Sequence, residues 1–223
     1  MYQNYIKRLL DITLSSLLLL ITLPLSLVLA LLIKRESHGP IFFTQSRTGL
    51  GGRDFKMRKF RSMSHDNDVR DLTRQDQVTK IGAIMRSLSL DELPQLLNIL
   101  EGDMSFIGPR PWIPEYYEHM TEIQRHRNDV RPGITGLAQA YGRNSLTIHE
   151  KIAYDLEYVK DISFREDLKI ILITIRTLFK TAVDEDTLQI GKSGIRNEID
   201  ILKAQHKDSK DRKQWKVAFR DGE

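Results

Sequence analysis

Residues 9–33 read LLDITLSSLLLLITLPLSLVLALLI, an apolar run in which Asp11 is the one charged residue. As a straight α-helix this stretch would measure about 37 Å, which is enough to cross a hydrocarbon core of about 30 Å. The run is too long for the apolar region of a signal peptide. It therefore predicts an N-terminal helix that associates with a membrane.

Two features of this run oppose a simple crossing. Pro24 removes one backbone hydrogen bond and clashes with the preceding turn, and a break there leaves arms of roughly 22 and 14 Å, neither of which spans a bilayer. Basic residues flank both ends, with Lys7 and Arg8 before the run and Lys34 and Arg35 after it. Basic flanks stay on the cytoplasmic side. The residues alone leave open a re-entrant helix broken at Pro24 and an ordinary spanning anchor.

The composition of the chain limits its class. It has 223 residues, with 34 Lys and Arg against 30 Asp and Glu and a formal net charge of +4. This weak basic excess does not indicate a nucleic-acid partner, and we expect none. Because the chain has no cysteine, a disulfide framework, a thiolate metal site and a cysteine nucleophile are excluded. We predict a membrane helix at 1–36, a compact domain at 37–185 and a charged tail at 186–223.

Residues 86–111 read RSLSLDELPQLLNILEGDMSFIGPRP and begin with leucines at helical spacing. The predicted helix has Gln95 and Asn98 off its apolar stripe, which is formed by Leu90, Leu93, Leu97 and Leu100. Ser89 is the predicted N-cap, and Glu92 three residues later completes a capping box. This arrangement places two adjacent carboxylates, Asp91 and Glu92, in the first helical turn.

The start of a helix is a favourable place for an anion, because free N–H groups and the helix dipole stabilise negative charge there. Asp91 is therefore expected to stay ionised, as a nucleophile or a metal ligand requires. The alternative is that Asp91 and Glu92 serve only as capping residues.

Basic residues in glycine- and proline-containing segments are the second chemical signal. Arginine in such loops is suited to bidentate phosphate recognition, and the candidates are Arg47, Arg58, Lys59, Arg61, Arg86, Arg110, Arg131 and Arg143. A cationic pocket beside carboxylates suits a diphosphate with Mg²⁺, which takes one or two carboxylates together with phosphate oxygens. The phosphate-loop signature GxxxxGK[ST] is absent.

The rest of the chain predicts an α/β protein that is mostly helical, with little strand. Residues 55–63 alternate as a short strand, and 112–127 have the spacing of one amphipathic helix. Residues 131–136 read as a turn-rich loop, and 64–77 as an exposed charged loop. Helices are expected at 145–158 and 167–182, and one more short helix around Ile195, Ile199 and Leu202.

From about Ile6 to Ala182 the chain resembles the monotopic phosphoglycosyl transferases, also called bacterial sugar transferases, in their small single-domain form. The resemblance rests on several motifs in order: Lys7-Arg8-x-x-Asp11, Pro24, Gln45-x-Arg47-x-Gly49, residues 59–63, 86–95, 102–105, Gly108-Pro109-Arg110-Pro111, 131–136 and Gly142-Arg143-Asn144. It implies transfer of a sugar-1-phosphate from a UDP-sugar to polyprenol (undecaprenyl) phosphate, with release of UMP. This step initiates lipid-linked glycan assembly.

The resemblance also assigns roles to residues. It implies that Asp91 forms a covalent phosphosugar intermediate and that Glu92 holds Mg²⁺ or assists entry of the acceptor. The implied phosphate- and substrate-binding residues are Lys59, Arg61, Arg86, Arg110, Arg131, Gly133, Thr135 and Arg143. It further implies a re-entrant helix broken at Pro24 and a catalytic domain on the cytoplasmic face of the bacterial inner membrane. The residue pattern leaves open whether the amphipathic helices at 112–127 and 167–182 lie in the membrane interface or pack against the core. Membrane lipids are expected partners, and a homo-oligomer is compatible with this picture. The competing hypotheses are a membrane-tethered basic binding protein without catalysis and a phosphohydrolase.

Overall fold

The computed structural model describes residues 2–64, 77–142, 145–181 and 199–203. A short π-helix (Tyr2–Ile6) leads into α1 (Lys7–Glu36), which is followed by β1 (Phe42–Thr48), a 3₁₀ turn (Leu50–Gly52) and β2 (Asp54–Phe60). Then come α2 (Lys80–Ser87), a 3₁₀ turn (Leu90–Glu92), α3 (Gln95–Glu101), β3 (Ser105–Ile107), α4 (Pro114–Glu118) and α5 (Glu122–Arg125). The order ends with a 3₁₀ turn (His126–Asn128), β4 (Gly133–Thr135), α6 (Leu137–Tyr141), α7 (Ile148–Lys160) and α8 (Phe164–Thr181). Helix predominates, which confirms the mostly helical α/β prediction.

The strands of the described part form two small sheets. β1 and β2 are an antiparallel hairpin in which Phe42 pairs with Phe60, and their rings stack with centroids 5.5 Å apart. β3 and β4 pair in parallel, with Ser105 opposite Gly133. The prediction of a loop at 131–136 was therefore wrong for 133–135. Gly133 explains the pairing, since a Cβ there would overlap the backbone of Gly108. A three-residue strand is too short to show a periodic pattern.

α1 is the one helix among the described residues that is long and apolar enough to cross a membrane, by length and composition. It stays helical from Lys7 to Glu36 and passes through Pro24. The predicted break at Pro24 stays a prediction, because a proline can bend a helix without ending it. A proline removes one hydrogen bond, and the other bonds of a 30-residue helix hold the segment together.

The N-terminal third of α1 is fastened to the compact domain by polar contacts. Arg8 donates from Nη1 and Nη2 to the carbonyl oxygens of Ile99 (2.6 Å) and Leu100 (2.8 Å) at the end of α3. The buried Asp11 carboxylate accepts hydrogen bonds from Ser105 Oγ at 3.0 Å and from the backbone N–H of Phe106 at 3.1 Å. Carbonyl groups at a helix end lack intrahelical partners, so Arg8 satisfies two such groups at the end of α3.

The C-terminal end of α1 rests on the same domain. Leu29 and Ile33 are buried against Phe60 and Met85. Between these contacts one face of the helix still packs on the domain, with Ser15 fully buried and Leu19 against the cluster of Leu96, Ile99 and Met104. The opposite face is apolar and exposed; Leu20, for example, is 71% exposed. Both ends of the candidate membrane helix therefore contact one body, while the middle of the helix presents an apolar surface.

α3 does not bury the predicted leucine stripe. Leu96 and Ile99 are buried together with the polar residues Gln95 and Asn98, whereas Leu97 is 36% exposed. The predicted stripe was wrong because α3 begins only at Gln95, and Asn98 is needed inside. Its Nδ2 donates to the Lys56 carbonyl at 2.9 Å and its Oδ1 accepts from the Arg58 N–H at 3.0 Å, which joins α3 to β2.

The C-terminal helices agree in part with the prediction. α7 and α8 occupy the two predicted helical regions, and residues 199–203 are helical with Ile199 and Leu202 buried. The single helix predicted at 112–127 is instead split into α4 and α5, because Thr121 forms a capping box with Gln124 and starts a new helix. Most of the 64–77 loop and of the 186–223 tail lies outside the described residues.

Candidate active site

Asp91 and Glu92 lie in the 3₁₀ turn that precedes α3. The turn is entered through Ser89, whose backbone is left-handed (φ 55°, ψ 21°) and whose side chain makes no capping hydrogen bond. The predicted N-cap and capping box at Ser89 were therefore wrong. A non-glycine residue in this region is strained by about 1–2 kcal/mol, and such strain is typical of functional sites.

Ser89→Gly is expected to raise the free energy of unfolding by up to about 1 kcal/mol, because glycine adopts the left-handed region without steric cost. Urea unfolding of the detergent-purified protein measures this change. Ser87→Gly is the matched control, since Ser87 ends α2 in helical geometry and glycine there should destabilise. A loss of stability in Ser89→Gly would contradict the strain argument.

Asp91 is buried, with 8% of its surface exposed. Burial raises the pKa of Asp91 above its ordinary value, and attraction to Lys59 offsets only part of that effect. This direction is opposite to the one expected for a carboxylate in the first turn of an α-helix. A poorly solvated carboxylate is more basic and, once ionised, a better nucleophile.

Glu92 has the contrary environment. It accepts a hydrogen bond from Lys59 Nζ at 2.6 Å, and Arg110 Nη2 lies 3.9 Å from the same oxygen, Oε1. Burial by itself would raise the pKa of Glu92, but these two cations and a hydrogen bond from Gln95 outweigh it and lower the pKa below its ordinary value. Two adjacent carboxylates are thus displaced in opposite directions, as in sites that assign them different tasks.

A narrow cleft with a cavity volume of about 10 Å³ lies beside Glu92. It is lined by Arg47, Met57, Glu92, Gln95, Arg110, Pro111 and Gly133. The structure therefore brings together four predicted site residues: Lys59, Glu92, Arg110 and Gly133. Arg86 is close enough to act electrostatically on Asp91, and its Nε donates to Ser62 Oγ at 2.8 Å. These residues are far apart in the sequence, and the packing of β2, the 3₁₀ turn Leu90–Glu92 and the β3–β4 pair brings them together.

Three other predicted binding residues lie elsewhere. Arg61 is buried and donates to the carbonyl oxygens of Ser37 (2.8 Å) and His38, which directly follow the last residue of α1. Arg131 donates from Nε to the Gly102 carbonyl at 2.8 Å and lines a separate cavity of about 270 Å³. Thr135 Oγ1 lies 2.9 Å from Thr174 Oγ1 on α8. Arg143 lies outside the described residues.

Sequence reasoning underestimated Gln95, which it placed on the polar side of α3. The structure buries Gln95 next to Glu92, where it lines the cleft. The signal was available in hindsight. Gln95 and Asn98 are three positions apart and therefore share one helix face.

The candidate metal ligands are these same two carboxylates. Within the described ranges no group of three or more His, Cys, Asp or Glu residues is placed to hold a metal ion. Asp91 and Glu92 nevertheless fit Mg²⁺, which is commonly bound by one or two carboxylates and completed by substrate phosphate oxygens and water. The nearby cations Lys59 and Arg110 suit the same phosphate groups.

The sequence of the chain was compared with families and with known proteins. A family model described as bacterial sugar transferase matches residues 2–181. The chain is 43% identical over 173 residues to "Uncharacterized sugar transferase EpsL" of Bacillus subtilis, covering 77% of this chain and 86% of that protein. It is 43% identical over 187 residues to a UDP-glucose:undecaprenyl-phosphate glucose-1-phosphate transferase of Caulobacter vibrioides, covering 78% and 70%.

A third relative carries a different sugar in its name. The chain is 40% identical over 184 residues to a UDP-N-acetylgalactosamine-undecaprenyl-phosphate N-acetylgalactosaminephosphotransferase of Aeromonas hydrophila. That match covers 78% of this chain and 44% of the relative. Similar identities to proteins named for different sugars do not select one donor sugar.

Proposed function

The chain belongs to the bacterial sugar transferase family, and on that premise we propose that it transfers a sugar-1-phosphate from a UDP-sugar to polyprenol phosphate and releases UMP. Relatives named undecaprenyl-phosphate phosphotransferases support both the enzyme class and the acceptor. One observation carries the proposal: the buried Asp91 adjoins Glu92, which Lys59 and Arg110 hold at the edge of a cationic cleft.

The first half-reaction assigned to this site is a displacement at the β-phosphorus of the donor. An Asp91 carboxylate oxygen forms a bond to that phosphorus, and the bond from the phosphorus to the bridging oxygen breaks. The electron pair leaves with UMP, and the sugar phosphate stays on Asp91 as an acyl phosphate. In the second half-reaction a phosphate oxygen of the acceptor attacks the same phosphorus and releases the Asp91 carboxylate. Splitting one transfer into two is the advantage of covalent catalysis.

The other residues of the site supply charge. Lys59 and Arg110 are placed to compensate the negative charge of the donor diphosphate, and Arg86 acts at Asp91. Mg²⁺ bound by Asp91 and Glu92 would neutralise further phosphate charge. Phosphate groups that attract Lys59 and Arg110 would free Glu92 from its ion pairs for this purpose.

The test uses membranes that contain the protein and a panel of UDP-sugars, with UMP release as the readout. We expect turnover with at least one donor when polyprenol phosphate is added, loss of turnover with EDTA, and recovery with Mg²⁺. Release of inorganic phosphate in place of lipid-linked sugar phosphate would indicate a phosphohydrolase. Salt-dependent binding of nucleic acid or acidic protein without any turnover would support the non-catalytic alternative.

The pH dependence of the first half-reaction follows from the two carboxylates. Asp91 must be ionised to attack, so the acid limb of kcat/KM should lie above the range of an ordinary aspartate. Glu92→Gln removes a negative charge that raises the pKa of Asp91, so the acid limb should move to lower pH even if the rate falls. A limb that stays in place or moves upward would contradict this assignment.

Glu92 also links pH to stability. Because its folded-state pKa is lowered, its ion pairs contribute stability above the ordinary glutamate pKa, and this contribution is lost as pH falls through the folded-state value.

The position of α1 supports a re-entrant membrane association on the cytoplasmic face of the inner membrane. A helix that crossed the bilayer fully would carry one end away from the domain, whereas both ends of α1 contact it. α8 adds an apolar surface, with Leu168, Leu172 and Ile175 all at least 45% exposed. An amphipathic helix of this kind can lie in the membrane interface.

Single cysteines test this topology, since the chain contains none. Gln3→Cys and Arg35→Cys replace exposed residues near the two ends of α1. Both are expected to react with an impermeant thiol reagent in inside-out membrane vesicles and neither in intact spheroplasts. Labelling of the two positions from opposite sides would exclude the re-entrant path.

A further inference from the structure

Arg47 on β1 lines the cleft but has no role in the two half-reactions proposed for Asp91. It donates from Nη2 to Gln45 Oε1 at 2.7 Å and from Nη1 to the Pro111 carbonyl at 3.3 Å. Its Nε is buried and has no hydrogen-bond partner. Within the part of the chain that the structure describes, no carboxylate forms an ion pair with Arg47 at 4.0 Å or less.

This environment is unfavourable for a cation. Burial lowers the pKa of Arg47 to about 10, and repulsion from Arg110 acts in the same direction. A buried charge with only neutral acceptors lacks the compensation that buried ions require. Arg61 also has an unpartnered Nε. Its terminal nitrogens, however, donate to the carbonyl groups that follow α1, and Arg61 does not line the cleft. Two arginines that line the same cleft favour an anionic ligand.

The cations around the two carboxylates indicate which anionic group Arg47 would bind. Lys59 and Arg86 act on Asp91, and Lys59 and Arg110 act on Glu92. Arg47 and Arg110 line one cleft together with Glu92, and Asp91 is not among the residues that line it. With Asp91 as the nucleophile, the attacked phosphorus would lie near Lys59 and Arg86, and the neighbouring phosphate of a diphosphate would lie toward Arg110 and Arg47.

We propose that Arg47 and Arg110 form the subsite for the phosphate that leaves with the nucleotide. This inference rests on the proposed transferase function and extends it. The ligand class is a nucleoside monophosphate, and UMP is the probe. Among the described residues no carboxylate lies within ion-pair distance of Arg47, and Glu92 acts on it only at longer range. Its replacement by a neutral side chain should therefore weaken UMP binding without destabilising the free protein.

The experiment compares Arg47→Met, Arg47→Lys and the control Arg53→Gln, which removes an exposed positive charge beside β2. Product inhibition by UMP and the UMP-induced rise in melting temperature are measured for each. Arg47→Met should weaken UMP inhibition by about ten- to a hundredfold, the effect of losing charge-assisted hydrogen bonds. Its melting temperature without UMP should equal or exceed that of the wild type. UMP inhibition of Arg47→Lys should be intermediate between that of the wild type and that of Arg47→Met. UMP inhibition of Arg53→Gln should equal that of the wild type.

Two results would overturn the assignment. The first is normal UMP inhibition in Arg47→Met, with or without a lower melting temperature, which would make Arg47 a structural residue. The second is an increase only in the KM for polyprenol phosphate, which would assign the subsite to the acceptor phosphate. A wild-type protein that releases no UMP from any donor would instead contradict the proposed function, so the two failures are distinguishable.

Discussion

Asp91→Asn should reduce UMP release from a UDP-sugar by at least about a thousandfold, the scale expected when a covalent nucleophile is removed. Asparagine has nearly the same shape but does not form an acyl phosphate. No sugar phosphate should become attached to the variant. Donor carrying a labelled sugar phosphate, incubated with the enzyme without acceptor, measures this directly. The wild-type adduct should map to Asp91 and be cleaved by hydroxylamine.

The folded state of Asp91→Asn should be at least as stable as that of the wild type. Burial disfavours the charged form of Asp91, as its raised pKa records, and a neutral amide removes that cost. Glu92→Gln is the companion variant: it should still form the adduct, more slowly, because Glu92 supports the site without bonding to phosphorus. Adduct formation in Asp91→Asn, or an adduct mapped to another residue, would contradict covalent catalysis by Asp91.

Asp155→Asn should lower the free energy of unfolding by about 3–5 kcal/mol, which is the usual cost of removing one partner of a buried ion pair. Asp155 Oδ2 accepts from Arg127 Nε at 2.9 Å and from Nη2 at 2.7 Å, and the two side chains are 3% and 1% exposed. Burial raises the pKa of Asp155 as it does that of Asp91, but Asp155 makes two hydrogen bonds to a guanidinium that is itself buried. The variant leaves that guanidinium inside the protein without its counter-charge, and this cost exceeds the gain from removing the carboxylate charge. Urea unfolding in detergent measures the loss.

Arg127 connects this pair to the active site. Its Nη2 also donates to the Arg110 carbonyl at 2.8 Å, and its guanidinium lies 3.9 Å from the centroid of the Trp112 ring. Asp155→Asn should therefore also raise the KM for the donor, since it loosens the segment that carries Arg110. Asp129→Asn, which affects an exposed pair with His126, should change stability by less than about 1 kcal/mol. An equally small effect of Asp155→Asn would contradict the assigned importance of the buried pair.

The parts of the fold that sequence predicted well are those with long, strong patterns. The apolar run of α1, the periodicity of α7 and α8, and the alternation in β2 each extend over enough residues to be recognised. The nearness of Lys59, Glu92 and Arg110 followed from the family resemblance, because no periodicity relates residues so far apart. Their chemical roles stay predictions until the variants are measured.

The errors have tertiary causes. Asn98 is buried because its side chain joins α3 to the β2 backbone by hydrogen bonds. No local sequence pattern predicts such a contact. Arg61 was predicted to contact phosphate, but the turn after α1 leaves two carbonyl oxygens within its reach. The raised pKa of Asp91 was not foreseen because an argument from charge at a helix start omits burial, which is its main cause. The prediction that Asp91 is ionised stays a prediction.

The attachment of α1 at both ends has a mechanical consequence. With Arg8 and Asp11 bound near one end, and Leu29 and Ile33 packed near the other, the apolar segment and the domain move as one piece. In the proposed membrane association, the distance of the Asp91 carboxylate from the lipid surface would then be fixed by the fold itself. Acceptor phosphates held at one depth by their buried chains would meet that carboxylate wherever the protein diffuses in the plane of the membrane.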